Sequence, residues 1–275
     1  MIKQNIHTHS IYCDGKNTFE GMIEAAIRKN FTVLGFSGHA YSPYDVWGMS
    51  RENQSEYRGE LMRLKEKYKD RIDIFIGIEQ DITYITENPA DFDFIIGSKH
   101  YMEHCGEYRE IDESRAVMQS IIDDWYDGNF VDFAKDYYND IKQIAFRDEI
   151  SVVGHIDLLT KYNENESFIS FDDKEYLQYA FDAIDCLIRT GKIFEVNTGA
   201  ISRGYRSTPY PHKTLLKYIR ERGGKILLNS DCHEKNRLDC GYGNAMNLIK
   251  EAGFSKMMLL TSDGFKEVSI GLFAP

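Results

Sequence analysis

The sequence predicts an α/β fold, either an α/β barrel or a doubly wound sheet. Short runs of β-branched and apolar residues alternate with longer helical patterns along the whole chain, as is typical of parallel βα architectures. Several of these runs are continuously apolar, which is expected of parallel strands that are buried on both faces. A third observation is that a histidine or a carboxylate residue follows six of the runs.

Seven short runs are predicted to be strands, and one further run is an eighth candidate. The seven cover residues 2–6, 32–36, 72–78, 92–96, 151–153, 193–196 and 225–228, and the eighth candidate covers residues 257–260. Each is short and mainly apolar or β-branched, which favours a strand over a helix.

Helical periodicity occupies the segments between these runs. The first helix is predicted over residues 19–29, because Thr18 is a typical N-cap residue and Met22, Ala25 and Ala26 recur at helical spacing. The other predicted helices cover residues 52–69, 112–146 in two or three pieces, 173–189, 213–222 and 243–252.

We predict a single domain over residues 1–275, because the chain has no internal repeat, low-complexity tract or linker. The segment 103–149 departs from the general pattern, with 13 acidic residues against 5 basic ones. It is predicted to be an enlarged, helical connection packed against the barrel. Its charge is interpreted as a solvated helix face, with a partner surface as the alternative.

The composition excludes several classes of protein. The chain has 275 residues and a formal net charge of −11, which disfavours a protein whose main task is to bind nucleic acid or anionic lipid. No apolar run is long enough to span a membrane, and residues 1–7 do not resemble a signal peptide. The five cysteines form no CxxC pair, so free thiols in the cytoplasm are expected.

Histidine and carboxylate residues concentrate at the ends of the predicted strands. A single histidine after a strand is usually structural, but six of the eight histidines occupy such positions. The set is His7, His9, His39, His100, His155 and His233, together with Glu79, Asp231 and Asp14. His104 and His212 lie elsewhere and are interpreted as structural or rim residues. In a parallel barrel all strand ends of one kind share one face, where active sites lie.

These residue types predict a metal site. Neutral imidazole and carboxylate groups suit Zn²⁺, Mn²⁺ or Fe. The nine residues are too many for one ion and suit two or three ions that share a bridging carboxylate.

The ordered set of motifs resembles the PHP (polymerase and histidinol phosphatase) superfamily. The resemblance rests on His7-Thr8-His9, Gly38-His39, Gly77-Ile78-Glu79, Ser98-Lys99-His100, Gly154-His155-Ile156-Asp157 and Ser230-Asp231-Cys232-His233. Glu195-Val196-Asn197-Thr198 and Tyr210-Pro211 look more particularly like the histidinol-phosphate phosphatase branch. The resemblance implies a distorted (β/α)7 TIM-like barrel with a trinuclear metal site at the carboxyl ends of its strands.

The resemblance also implies a distribution of ligands. His7, His9, Glu79 and Asp231 would hold the first ion, and Glu79 would bridge to a second ion held with His100 and His155. Asp14, His39 and His233 would hold the third ion. Asp14 stands where many histidinol phosphatases have a histidine, although other PHP members have Asp-Gly at this point.

The expected activity is hydrolysis of a small phosphate monoester, L-histidinol phosphate above all, as a step of histidine biosynthesis. Arg203 and Arg206 are predicted to bind the phosphate, because guanidinium groups bind phosphate in a bidentate manner. Asn197 and Lys161 are further candidates for substrate binding, and Asp231 or His233 for proton transfer to the leaving alkoxide. The alternatives are another PHP activity (phosphotyrosine, nucleotide or exonuclease) and a non-catalytic metal-binding module. No nucleic acid or membrane partner is expected, and a homo-oligomer stays open.

Overall fold

The computed structural model describes residues 1–274, which form eleven strands and eight α-helices. The strands are β1 (Gln4–Asn5), β2 (Val33–Phe36), β3 (Asp73–Asp81), β4 (Phe94–Ser98), β5 (Tyr101–His104), β6 (Glu107–Glu110), β7 (Val152–Val153), β8 (Ile193–Asn197), β9 (Lys225–Asn229), β10 (Lys256–Thr261) and β11 (Gly264–Ser269). The helices are α1 (Phe19–Arg28), α2 (Arg51–Tyr68), α3 (Arg115–Tyr126), α4 (Phe130–Ile141), α5 (Lys174–Arg189), α6 (Gly199–Arg203), α7 (Lys213–Glu221) and α8 (Tyr242–Glu251).

Seven strands form one parallel sheet in the order β1-β2-β3-β4-β7-β8-β9. Just beyond β1 and β9 the chain forms a parallel bridge between Thr8 and Cys232. The amide of His9 donates to the Cys232 carbonyl at 2.9 Å, and the amide of Cys232 donates to the His7 carbonyl at 3.1 Å. The sheet is thereby nearly closed, which confirms the distorted (β/α)7 barrel.

The C-terminal hairpin β10–β11 lies beside β9 and β1 at the other end of the barrel. Gln4 Nε2 donates to the Met258 carbonyl at 3.2 Å, and the Leu260 amide donates to Gln4 Oε1 at 2.8 Å. The eighth candidate run is therefore a strand, but it pairs antiparallel with β11 outside the barrel sheet. Met258 and Leu260 join the apolar cluster inside the barrel, which explains why the run has the apolar character of a barrel strand.

The barrel interior has an apolar floor. Phe94, Ile193 and Leu227 are buried in one cluster with residues from the neighbouring strands. Alternate residues of a strand face the same side of the sheet. Glu195 and Asn229, two positions beyond Ile193 and Leu227, therefore also face the interior, where both are fully buried.

Five of the helices, α1 to α5, begin at a serine, threonine, asparagine or aspartate side chain that caps the first turn. Thr18 accepts a hydrogen bond from the Gly21 amide at the start of α1. Equivalent caps precede α2, α3, α4 and α5, at Ser50, Ser114, Asn129 and Asp173. Each cap satisfies one of the backbone amides that the first helical turn leaves without a partner. None of the helices in residues 1–274 combines the length and the apolarity needed to cross a membrane.

The acidic insertion at 103–149 is only partly helical. It begins within β5 and continues through the antiparallel hairpin partner β6, then α3, α4 and a 3₁₀ turn at Lys142–Phe146. The helical prediction is wrong for the hairpin and agrees with the pieces found within 112–146. In β5, two buried residues, Tyr101 and Met102, precede two exposed ones, so the strand lacks the two-residue alternation that would have revealed it.

Candidate metal centre

The predicted ligands lie together at the carboxyl end of the barrel. His7 and His9 follow β1, His39 follows β2, Glu79 lies in β3, His100 follows β4, His155 follows β7, and Asp231 and His233 follow β9. Asp14 belongs to the loop after His9. These residues are far apart in the chain but share one face because all seven strands run parallel.

Glu79 lies at the centre of this group and is 1% exposed. Its Oε2 atom is 3.2 Å from His7 Nε2, 3.2 Å from His39 Nδ1 and 3.6 Å from His9 Nε2. Its Oε1 atom is 3.1 Å from His155 Nε2 and 3.6 Å from His100 Nε2. The two oxygens face two different sets of imidazoles, which is the arrangement a bridging carboxylate requires.

Asp14 and Asp231 extend the group around His9. Asp14 Oδ2 is 2.8 Å from His233 Nε2, and Asp14 Oδ1 is 3.4 Å from His9 Nδ1 and 3.8 Å from His39 Nε2. Asp231 Oδ1 is 3.4 Å from His9 Nε2 and 3.6 Å from His233 Nδ1. Asp14 thus lies within 4 Å of three of the predicted histidine ligands.

The donor atoms fit divalent cations. Three sets of ligand atoms each lie within 4.8 Å of one another: His9, Asp14, His39 and His233; His7, His9 and Glu79; and His39, Glu79 and His100. The Nε2 atoms of His7 and His9 are buried without a hydrogen-bond partner, although carboxylate oxygens face them. An imidazole lone pair directed at a carboxylate is repulsive unless a proton or a metal ion lies between them. We call the nine predicted ligands the metal cluster.

Electrostatic attraction between the carboxylates and their cationic neighbours shifts the pKa values of these groups. Burial raises the pKa of Glu79, but His7, His100 and His39 outweigh it and hold that pKa well below its usual range. Burial likewise opposes the effect of Arg203 and His7, which together keep the pKa of Asp231 well below its usual range. The carboxylates in turn raise the pKa of His7 above its usual value despite the burial of the ring.

Two glycines of the motifs are explained by close contacts. A Cβ atom at Gly77 would lie 2.3 Å from the ring of Phe94, which fills the barrel directly beneath the cluster. A Cβ atom at Gly154 would lie 2.3 Å from Ser98 Oγ. That hydroxyl donates to Glu79 Oε1 at 2.6 Å, so the missing side chain leaves room for a group that orients the central carboxylate.

Two further buried carboxylates support the cluster, and sequence reasoning did not assign them a role. Glu195 Oε1 accepts a hydrogen bond from His7 Nδ1 at 2.7 Å. Asp81 Oδ2 accepts one from the His100 amide at 2.6 Å. The available signal was a single carboxylate within an otherwise apolar strand, as in Ile193-Phe194-Glu195-Val196, because such a residue is buried only where it has partners.

The metal cluster opens into a cavity of about 610 Å³. Its lining includes three basic residues, Lys16, Arg203 and Arg237, which we call the basic wall, and Glu234 of the same lining pairs with Lys16 and Arg237. Four further residues of the lining, Asp45, Glu110, Asp112 and Glu113, carry carboxylates, and we call them the acidic wall. The aromatic residues Trp47, Tyr101 and Tyr205 also line the cavity.

Two of the four predicted substrate-binding residues, Arg203 and Lys161, line the cavity. Arg203 lines the cavity, and its Nη2 atom donates to Asp231 Oδ2 at 3.0 Å. Lys161 also lines it, with Nζ bonded to Asp112 Oδ2 at 3.0 Å.

Arg206 and Asn197 are buried away from the cavity lining, so the structure does not favour direct contact with a substrate. Arg206 Nη1 donates to Thr160 Oγ1 at 2.7 Å. Asn197 Nδ2 donates to Glu195 Oε2 at 2.9 Å. The short helix α6 turns Arg203 towards the cluster, whereas the chain beyond Gly204 carries Arg206 towards Thr160.

The two remaining histidines lie outside the cluster. His104 is exposed on β5 and its ring stacks on Trp125. His212 caps α7 and its ring stacks on Phe171. Both placements agree with the structural interpretation.

The fold and the site define a parallel seven-stranded barrel with a histidine- and carboxylate-rich candidate metal centre at the carboxyl ends of its strands. The family model of the PHP domain matches residues 5–199, more than half of the chain, and the chain belongs to that family. The resemblance stated from the motifs is thereby confirmed.

Individual relatives agree with this assignment. The chain is 28% identical over 280 residues to the histidinol-phosphatase of Lactococcus lactis, covering 97% of this chain and 96% of that protein. A solved structure from Listeria monocytogenes matches with a TM-score of 0.80 at 22% identity, covering 88% of this chain and 99% of the other. The structure of histidinol phosphate phosphatase from Lactococcus lactis, complexed with zinc, L-histidinol and phosphate, matches with a TM-score of 0.73 at 23% identity, covering 96% and 98%.

Proposed function

We propose that the protein is a metal-dependent phosphomonoesterase that hydrolyses L-histidinol phosphate to L-histidinol and phosphate. The observation that carries the proposal is a cavity whose lining combines the metal cluster with the basic wall and the acidic wall. Basic and acidic groups in one lining suit a substrate that carries both an anionic phosphate and a cationic group. The names of the relatives support the same activity.

The metal cluster would hold two or three divalent ions, of Zn, Mn or Fe. His7, His9, Glu79 and Asp231 are proposed for the first ion, Glu79, His100 and His155 for the second, and Asp14, His39 and His233 for the third. Divalent ions in such a site lower the pKa of bound water and stabilise charge on a phosphoryl group. The position of Glu79, with each oxygen facing different imidazoles, supports its assignment as the bridge.

Arg203 is proposed to bind the phosphoryl oxygens. Its guanidinium lies next to Asp231 and His233, and about a third of the side chain is exposed to the cavity. A guanidinium beside the cluster offers charge-assisted hydrogen bonds to phosphate and adds positive charge where negative charge develops. Lys161 is the second candidate, although Asp112 already engages its ammonium.

The acidic wall is proposed to receive the cationic part of the leaving group. Glu110 lies half-buried on β6 and accepts a hydrogen bond from Trp47 Nε1 at 3.2 Å. The Tyr101 hydroxyl donates to Asp45 Oδ1 at 3.0 Å. Carboxylates held beside aromatic rings suit an ammonium or imidazolium group, which carboxylates attract by charge and ring faces by their quadrupole.

Asp231 and His233 are the candidates for proton transfer to the leaving alkoxide. Both line the cavity. Although burial opposes it, Arg203 lowers the pKa of Asp231, and burial lowers the pKa of His233. Both groups therefore stay candidates for the transfer.

The test is a substrate panel with the metal-loaded protein. We expect kcat/KM for L-histidinol phosphate to exceed that for an uncharged alkyl phosphate of similar size, phosphotyrosine and nucleotides by at least about a hundredfold. Glu110→Gln should raise KM about tenfold for the cationic substrate alone, because it removes one charge-assisted contact. Glu103→Gln, an exposed carboxylate outside the cavity, is the matched control.

Other outcomes would favour the alternatives. A preference for phosphotyrosine or nucleotides would identify another PHP phosphoesterase, and a metal-loaded protein inactive on the whole panel would favour a metal-binding module. The net charge of −11 disfavours an exonuclease, because nucleic-acid binding depends on phosphate neutralisation by basic side chains.

A further inference from the structure

Glu195 is a fully buried carboxylate that the proposed reaction has not used. Its Oε1 atom accepts hydrogen bonds from His7 Nδ1 at 2.7 Å and from Asn229 Nδ2 at 2.9 Å. Its Oε2 atom accepts hydrogen bonds from the His155 amide at 3.0 Å and from Asn197 Nδ2 at 2.9 Å. These four donors engage both oxygens, so Glu195 is not a candidate metal ligand itself.

The location of Glu195 makes its charge costly. It faces the barrel interior on β8, two positions beyond Ile193 in the apolar floor. Burial of a carboxylate is unfavourable unless hydrogen bonds and nearby positive charge compensate it. The four hydrogen bonds to its two oxygens supply that compensation for the Glu195 carboxylate beneath the cluster.

The contact with His7 fixes how that imidazole binds a cation. Because Glu195 accepts from Nδ1, the proton of the neutral ring resides on Nδ1 and the lone pair on Nε2. That Nε2 atom is 3.2 Å from Glu79 Oε2 and 3.8 Å from Asp231 Oδ1. A carboxylate behind a ligating histidine fixes the ring orientation and increases the basicity of the ligand nitrogen.

The contact with His155 acts on the other side of Glu79. The backbone amide of His155 donates to Glu195, and the ring Nε2 atom of His155 lies 3.1 Å from Glu79 Oε1. One carboxylate thus supports a histidine facing each oxygen of the central bridge.

We propose that Glu195 is a positioning residue that fixes His7 and His155 for metal binding and so couples the two ion positions that share Glu79. This inference rests on the proposed metal centre. It adds a residue whose effect acts through the ligands rather than through the substrate.

The first test compares Glu195→Gln with the wild type by zinc titration against a chromophoric chelator. The variant side chain has nearly the same shape but no charge. Its amide nitrogen, unlike the carboxylate oxygen it replaces, cannot accept a hydrogen bond from any of the four donors. We expect about a 10- to 100-fold weaker zinc affinity at the positions of His7 and His155. Saturating zinc should restore most of kcat, with KM little changed, because the substrate contacts are intact.

The matched control is Glu149→Gln, which neutralises a partly buried glutamate paired with Arg147 outside the site. It should bind zinc with wild-type affinity. Unchanged zinc affinity in Glu195→Gln, while the wild type binds two or three ions, would overturn this inference and leave the proposed function standing. A wild type that binds no ion would overturn both.

A second measurement needs no variant and stays decisive if Glu195→Gln fails to fold. In the zinc-loaded wild-type protein with ¹⁵N-labelled histidine, we expect His7 to show the Nδ1–H tautomer and a slowly exchanging ring proton. A His7 ring protonated on Nε2 would contradict the proposed role.

Discussion

Arg203 and Asp231 form an ion pair at the edge of the metal cluster, with 3.0 Å between Nη2 and Oδ2. The other terminal nitrogen of Arg203 lies 3.2 Å from His233 Nδ1. One guanidinium therefore contacts two predicted ligands while lining the cavity, so a phosphate bound there would meet the arginine and the ions together.

Arg203→Ala is expected to lower kcat/KM for L-histidinol phosphate by about one to two orders of magnitude, because it removes charge-assisted hydrogen bonds to the phosphate. Arg203→Lys should recover only part of the loss, since a point charge cannot replace a planar fork. Arg206→Ala is the comparison: it should lower the free energy of unfolding by about 1–3 kcal/mol through the lost buried contact with Thr160. It should change kcat/KM by less than about threefold. Steady-state kinetics measures the effect on kcat/KM, and urea unfolding measures the effect on stability. Equal losses of kcat/KM in Arg203→Ala and Arg206→Ala would refute the different roles proposed for the two arginines.

The expected number of bound ions is based on the three sets of donor atoms. Protein reconstituted with Zn²⁺ or Mn²⁺ and freed of loose ions should contain two to three ions per chain by elemental analysis. Removal of the ions with a chelator should abolish phosphatase activity, and added metal should restore it. One ion or none after reconstitution is incompatible with the proposed cluster.

Glu79→Gln is expected to reduce kcat by orders of magnitude and to lower the number of bound ions. The carboxylate faces five imidazoles, and an amide lacks the second anionic oxygen needed to bridge two cations. His104→Ala, which alters an exposed histidine outside the cluster, should change neither quantity. Near-normal turnover of Glu79→Gln would exclude a bridging role.

Metal binding should release protons at neutral pH. Burial lowers the pKa of His100, but Glu79 and Asp81 outweigh it and raise it to about 10 in the ion-free protein. The pKa values of His7 and His9 are also raised, despite burial, by their carboxylate neighbours. Metal ions bind neutral imidazole, so each of these rings must lose its proton.

Apparent metal affinity should therefore increase as the pH rises from about 6 to 8, and titrations in buffers of different ionisation enthalpy should reveal the protons. The free energy of unfolding of the ion-free protein should instead decrease as the pH rises. A raised histidine pKa contributes stability that is complete below the unfolded-state value near 6.5 and is lost as the pH rises through the folded-state values. A metal affinity independent of pH would contradict the protonation pattern.

Gly77→Ala should destabilise the barrel, because the new Cβ atom would lie 2.3–2.5 Å from the Phe94 ring. Overpacking of this kind costs about 1–3 kcal/mol. Gly59→Ala is the control, since a Cβ atom there meets nothing within 4 Å on the surface of α2 and alanine favours a helix. Urea unfolding of both variants in the same metal-loaded state should give free energies that change in opposite directions.

The cluster could be predicted from the sequence because parallel strands present their carboxyl ends on one face. His7 and Asp231 are distant in the chain, yet each directly follows a strand, and the periodicity of those strands is visible. The different locations of Arg203 and Arg206 could not be predicted, since only Gly204 and Tyr205 separate them and the left-handed turn at Gly204 directs the chain away from the cavity lining. Glu195 appeared in a motif, but its role depends on partners from three other strands.

The acidic wall was also beyond sequence reasoning. Glu110 reaches the cavity only because β5 and β6 form a hairpin, whereas the segment 103–149 was predicted to be a helical connection. Hairpin pairing depends on contacts across the turn rather than on a periodic signal within each short strand.

Barrel closure between β1 and β9 has a consequence for biosynthesis of the protein. His7 and His9 are synthesised before Asp231 and His233 and before the hairpin that bonds Gln4. The growing chain cannot assemble a complete donor set until β9 has been synthesised and has met the residues beyond β1. The proposed ligands therefore stay an incomplete set until that point, and the proposed centre could select its ions only after β9 has been made.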